Sequence, residues 1–239
     1  MCETKRASTS DVLPVEVQER VLARNDRTAD HNREHFHRAG VLAVNLMGSP
    51  GSGKTAILEA TARRVAGRRL AAVTGDLETH RDAERLRAAG IPSVAITTGS
   101  ACHLDSELVH RALHEAPWRQ SDYLFIENVG NLVCPAVYDL GQTVNVVALA
   151  VTEGEDKPLK YPVMFRKADL VLLTKADLLP HLDVRIDVID EALSRVMPSP
   201  ERILVSAKTG QGMESWAAWL ERRHGLVRAG AIEATPAFI

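Results

Sequence analysis

"VLAVNLMGSPGSGKT", residues 41–55, is the stretch on which the fold turns. Its first half is an unbroken apolar run of strand length. Its second half, "GSPGSGKT" (48–55), matches the G-x-x-x-x-G-K-[ST] pattern of a phosphate-binding loop. So short a pattern also arises by chance, but here it follows a strand and opens a helix, the context the chemistry requires. Gly48, Gly51 and Gly53 let the backbone curl so that its N–H groups point inward at phosphate oxygens. The cradle is expected to comprise Gly48, Ser49, Gly51, Ser52, Gly53, Lys54, Thr55 and Ala56. The helix N-terminus adds partial positive charge. Lys54 is placed to reach the β- and γ-phosphates, and the Thr55 hydroxyl to ligate Mg²⁺.

Outward from this loop, further short apolar runs occur at 70–75, 93–97, 122–128, 144–151, 168–175 and 202–206. Helical stretches separate most of them, at 54–66, 79–89, 104–115, 183–196 and 213–224. Continuously apolar strands alternating with helices predict a parallel sheet covered on both faces. The expected fold is therefore α/β: a three-layer P-loop NTPase sandwich with a mostly parallel sheet and an N-terminal helical extension. The expected divisions are a mobile N-terminus and helix over 1–38, a P-loop nucleotide-binding domain over 39–226 and a loose tail over 227–239. In the extension, Val15, Val17, Val21 and Leu22 give a partial helical stripe. His31 and His35 lie four apart on one helix face. They read as a solvated face in preference to a weak metal site.

Charge and composition exclude several classes. The net charge is −2 at pH 7, which favours neither nucleic acid nor an anionic membrane surface. No apolar run approaches the roughly 18–20 residues of a membrane span. The first residues, "MCETKRASTSDVLPVEV", lack the apolar core of a secretory signal. Three cysteines do not make a disulfide scaffold, so a cytoplasmic protein with reduced thiols is expected.

A phosphate loop alone does not choose its base. In "LLTKADLL" (172–179), Asp177 follows a strand and can accept hydrogen bonds from both N1–H and N2–H₂ of guanine. Adenine lacks that donor pair, and a carboxylate left unpaired costs about 1–3 kcal/mol. The Lys175 stem can lie along the base. "SAKTGQG" (206–212) resembles the loop whose amides, at Ser206, Ala207 and Lys208, meet guanine O6. In this order the segments favour a GTPase over a P-loop small-molecule kinase, which would need an acceptor pocket and an arginine-rich lid.

The sequence as a whole resembles the HypB family, GTPases of the SIMIBI class that assist nickel insertion into [NiFe]-hydrogenase. The resemblance is carried by "NDRTADHNR" (25–33), "GSPGSGKT", "GDLETHRDAERLRAAGIP" (75–92), "ACHLD" (101–105), "ENVGNLVCP" (127–135), "VTEGEDKPLKYP" (151–162) and "TKADLLP" (174–180). It implies that Asp76 is the acid of the first switch and that Glu127 opens an E-x-x-G motif. Lys54, Thr55, Asp76 and Glu127 are then the catalytic set, with Thr55, Asp76 and Glu127 serving Mg²⁺. Gly130 would give its amide to the γ-phosphate and so sense hydrolysis, which is expected to be slow. A passive metal-binding protein with merely structural nucleotide is the remaining alternative.

The resemblance further implies that Cys102, His103 and Cys134 form a Ni²⁺ or Zn²⁺ site at a homodimer interface favoured by GTP. Thiolates and imidazole suit both ions. One chain offers two or three ligands where Zn²⁺ usually takes four, and a two-fold axis would supply the rest. Against this stands the plainer possibility that the cysteines are small buried apolar residues and His103 a surface histidine. Asp105 reads as the cap of the following helix in preference to a partner for His103. No role is assigned to Lys157 or Lys160. The implied partners are hydrogenase accessory proteins and the hydrogenase large subunit. Cys2 stands alone where some members carry C-x-x-C-G-C, and Thr174 replaces the asparagine of many GTPases. A UreG-like GTPase is the neighbouring alternative, but its C-P-H motif is missing because Ala136 follows Pro135.

Overall fold

Strand β1 (Leu42–Gly48) runs through the centre of the molecule and is buried along its whole length. Its side chains alternate between two apolar layers: Leu42, Val44 and Leu46 enter one, Ala43 and Met47 the other. This is why the strand reads as continuously apolar rather than alternating. A computed structural model describes residues 15–65, 67–99 and 101–231, with side chains from residue 19 onward. The expectations for residues 1–13, for Cys2, for the side chains of Val15 and Val17 and for the end of the tail lie outside these residues.

Six further strands join β1: β2 (Leu70–Asp76), β3 (Ser93–Thr97), β4 (Tyr123–Glu127), β5 (Val144–Ala150), β6 (Leu170–Thr174) and β7 (Arg202–Leu204). Their order is β3-β2-β4-β1-β5-β6-β7, and every pairing is parallel. Helices α2 (Lys54–Arg64), α3 (Arg81–Ala88) and α8 (Met213–Arg228) bury their apolar sides against one face. Helices α1 (Val15–Ala39), α4 (Ser106–Ala112), α6 (Pro162–Arg166) and α7 (Ile186–Val196) cover the other. The three layers are those the sequence predicts. Strand order reverses around β1, so a crevice opens beyond the carboxyl ends of β1, β4 and β5, where doubly wound sheets bind ligands.

Several details differ from expectation. The helix predicted over 104–115 is the shorter α4, because Asp105 is its N-cap and accepts from the Leu108 N–H at 2.7 Å. The strand predicted over 202–206 ends at Leu204, and α8 runs on to Arg228. Two short helices, α5 (Lys157–Lys160) and α6, were not foreseen. Each carries a proline in its first turn, where a missing N–H costs nothing.

The stripe of α1 is also different. Val21 is exposed and Leu22 half-buried, while the seam is made by Asn25, Ala29, Asn32 and Phe36. Asn25 donates to the Asp139 carbonyl at 2.8 Å and accepts from the Ser106 N–H at 2.9 Å. Asn32 donates to the carbonyls of Ser106 and Leu140 at 3.0 and 3.2 Å. Gly141 adopts φ +83, and a Cβ there would lie 2.4 Å from the Ala29 carbonyl oxygen. The seam is thus backbone against helix, stitched by buried amides, which apolar periodicity does not register. Among the described residues no helix is long and apolar enough to cross a membrane.

Candidate nucleotide and metal site

The phosphate loop leaves β1 through Gly48 at φ +149, a conformation closed to side chains: a Cβ there would lie 2.3 Å from the Ala148 carbonyl oxygen. Gly51 and Gly53 are also left-handed, and Gly53 caps α2. Lys54 folds back over the loop, its Nζ donating to the carbonyls of Gly48 and Ser49 at 3.2 Å each. Burial pushes the Lys54 amine down, and the carboxylates of Glu127, Asp82 and Glu153 oppose that shift. Its charge is therefore held at the loop rather than in water.

Thr55 donates its hydroxyl to Glu127 Oε1 at 2.8 Å. Glu127 ends β4 and is buried; burial pushes its carboxyl up to about 7, against the pull of Lys54 and Thr55. Its Oε2 has no partner, and neither has the Ser52 hydroxyl. Buried polar atoms left unpaired are costly and ask for a ligand. An oxygen-only pair beside a phosphate loop suits a hard divalent cation, so Thr55 and Glu127 fit Mg²⁺. Asp76 ends the neighbouring strand β2, where Thr74 pairs with Glu127. Burial raises its carboxyl, but the N–H groups of Glu78 and Thr79, at 2.9 and 3.0 Å, outweigh that and lower it. Asp76 is turned toward its own loop and bonds neither Thr55 nor Glu127.

The loop after Glu127 is fastened to the phosphate loop. Asn131 forms an antiparallel bridge with Gly48, and a Cβ on Gly130 would lie 2.9 Å from Pro50. Asn128, wholly buried, accepts from the N–H of Leu104 at 3.2 Å and donates to Asn45 at 3.2 Å. Asn131 also reaches the Cys102 carbonyl at 3.4 Å. Two expected loops are thereby joined, and the sulfurs of Cys102 and Cys134 come within 2.8 Å of each other, as free thiols. With His103 they give three ligand atoms, all within 4.8 Å of one another. A hydrogen bond to Cys102, then burial, pushes the Cys134 thiol up. Burial lowers His103, against Asp105, and its ring stacks on Tyr138 with centroids 3.9 Å apart.

The loops expected to read the base also meet. Lys175 is the one non-glycine residue at positive φ among the described residues, at φ 59. Ser206 donates to Asp177 at 2.6 Å, and this bond, with the nearby Lys208, holds the Asp177 carboxyl low and ionised. The Thr174 hydroxyl donates to the Ser52 carbonyl at 2.5 Å, tying this loop to the phosphate loop. Ala207 is half-buried behind them and Lys208 exposed. Lys160 pairs with Asp156 at 2.6 Å and Lys157 lies over the Tyr161 ring, so neither enters the site. Three participants were missed: Asn128, Asn131 and Glu153, whose carboxylate accepts from the Ser49 hydroxyl. Only the first had a signal, as a polar residue closing an apolar strand.

A phosphate loop at the crevice of a parallel sheet, with an ionised aspartate hydrogen-bonded to a serine beyond it, fits a P-loop GTPase. Residues 42–203 match the CobW/HypB/UreG nucleotide-binding domain. Over 219 residues the chain is 49% identical to the hydrogenase maturation factor HypB of Azotobacter vinelandii, covering 91% of this chain and 72% of that one. A crystal structure of HypB from Helicobacter pylori in complex with nickel superposes with TM-score 0.83 at 39% identity, over 90% of this chain and all of that one. The hydrogenase maturation factor HypB from Archaeoglobus fulgidus gives 0.78, also at 39% identity, over 86% of this chain and all of that one. The chain belongs to the HypB family.

Proposed function

We propose that this GTPase is a nickel carrier of hydrogenase maturation, holding its cargo at Cys102, His103 and Cys134 and coupling that grip to the nucleotide. The observation that carries the reading is the double attachment of the loop 128–134. One end lies against Pro50 and Gly48 of the phosphate loop, and the other presents the Cys134 sulfur to Cys102. The nickel in the H. pylori structure supports the choice of cargo. Two sulfurs bonded to one ion at about 2.3 Å would sit roughly 3.7 Å apart at tetrahedral angles, so the thiols must part by about 1 Å to admit it. A γ-phosphate beside Gly130 would displace that loop and set the separation.

In this mechanism Lys54 leaves its loop carbonyls for the β- and γ-phosphates, and the N–H groups of residues 49–56 cradle them. Mg²⁺, when bound, neutralises developing phosphate charge, and Thr55 and Glu127 would hold it, with Asp76 turning in from its loop. Asp177 and Lys175 orient guanine, and Ser206, Ala207 and Lys208 close over it. A homodimer is part of the proposal: Val133 and Val137, 57% and 43% exposed, flank Cys134, and a second copy would cover them while completing the ligand set. Zn²⁺ is the competing cargo, and hydrogenase accessory proteins and the large subunit are the receivers.

Cys134→Ala is the test. Nickel affinity should fall by more than about tenfold while GTP affinity stays unchanged, read by titration against a chromophoric chelator and by nucleotide binding. In the unaltered chain, GTP and GDP should give different nickel affinities. Equal nickel binding by the variant, or by both nucleotide states, would overturn the reading.

A further inference from the structure

A second cluster of ligating side chains lies on the seam between α1 and α4, apart from every residue given a role above. His31 and His35 stand one turn apart on α1, and His110 projects from α4 to meet them. One ring nitrogen from each lies within 4.8 Å of those of the other two. Ring centroids are 4.3 Å apart for His31 and His35, and 5.1 Å for His31 and His110. His114 joins from the far side of His110, at 5.1 Å. The pair on α1 alone reads as a solvated helix face; a third imidazole from another helix changes that.

The protonation of His110 is fixed by its neighbour. Its Nδ1 lies 2.9 Å from Oδ1 of the buried Asn32. The Asn32 amide nitrogen is committed to the carbonyls of Ser106 and Leu140, so its oxygen must accept. Nδ1 of His110 therefore carries the proton, and Nε2 keeps its lone pair. A histidine ligand whose other ring N–H is held by an oxygen is the arrangement metal centres use to orient imidazole. Charge points the same way. Burial, then His31 and His110, then Arg119 and Arg38, lowers His35; burial, then His31 and His114, lowers His110 against Glu107. A neutral imidazole need lose no proton to bind an ion.

We propose that His31, His35 and His110 form a second site for a divalent transition metal, all-nitrogen in its protein ligands, with water completing the shell. Imidazole sets of this kind suit Ni²⁺, Zn²⁺ and Cu²⁺. Bonds of about 2.0–2.1 Å need nitrogens roughly 3.4 Å apart, so from separations within 4.8 Å the rings close inward by at most about 1.4 Å. The exposed His31 and the half-buried His35 have that freedom, while His110 stays fixed by Asn32.

The test uses the full chain carrying C2S, C102A and C134A together, which removes every thiol. Titrated with Ni²⁺ and with Zn²⁺ alone, it should retain one ion per chain, and X-ray absorption should show a nitrogen and oxygen shell without sulfur. Adding His31→Gln or His110→Gln should each weaken that binding about tenfold or more. GTP hydrolysis and melting temperature of the His31→Gln chain should match those of its parent, since that side chain is exposed. Failure of the thiol-free chain to retain an ion, or retention unmoved by both histidine substitutions, would overturn the site.

Discussion

Asp177 shows how much one side chain can decide. Its carboxylate is ionised and aimed by the Ser206 hydroxyl before any base arrives. Preorganisation of this kind makes discrimination steep, because a base without two donors leaves the charge unpaired. Asp177→Ala should raise the dissociation constant for GTP by about 5- to 150-fold, equivalent to ~1–3 kcal/mol, and leave that for ATP nearly unchanged. Competition between the two nucleotides for a fluorescent analogue measures both. A variant that still prefers GTP as strongly as its parent would remove Asp177 from base recognition. The Thr174 hydroxyl supplies a link to the phosphate loop through the Ser52 carbonyl.

At the scale of elements, the legible features were those whose chemistry is local. The phosphate loop, the pair of base-reading loops and the adjacent Cys102 and His103 each declare themselves within a few residues. What the sequence withheld depends on contacts between residues 24 to 114 positions apart. Asn25 meets Asp139 and Ser106, Glu153 meets Ser49, and Asn128 meets Asn45 and Leu104. No periodicity encodes such pairs, and a search for apolar stripes passes over a helix anchored by asparagines. Yet Asn25 has a structural consequence for the proposed cargo site. It satisfies the N–H of Ser106, the first residue of α4, directly after the loop that holds Cys102 and His103. Asn25→Ala leaves that N–H and the Asp139 carbonyl unpaired, a loss of about 1–3 kcal/mol. The melting temperature should drop roughly 2–12 °C, and nickel affinity should weaken with it. An unchanged melt would show that water replaces the amide and that α1 does not hold α4.

Across the whole molecule, the sheet separates two edges with different work. Beyond the carboxyl ends of the strands lie the phosphate loop and the proposed metal cluster; the amino ends carry a fastening between β2, β4 and α8. There Glu221 of α8 accepts from Arg68 at 2.8 and 2.6 Å and from the Tyr123 hydroxyl at 2.6 Å. The Arg68 guanidinium, helped by the tyrosine and opposed by burial, holds the Glu221 carboxyl down at about 2. A carboxyl depressed in the folded state stabilises that state above its ordinary value near 4.5, and the contribution is lost as pH falls from there through about 2. Glu221 is 42% exposed, so solvent screening limits the effect to about 1 kcal/mol or less. Glu221→Gln should therefore melt about 2–4 °C below the parent at pH 7. The gap should narrow below pH 4.5 and close toward pH 2, while GTP turnover at pH 7 is unaffected because the fastening lies at the edge remote from the crevice. A gap that persists unchanged to pH 2 would mean that the glutamate acts there through packing rather than through its charge.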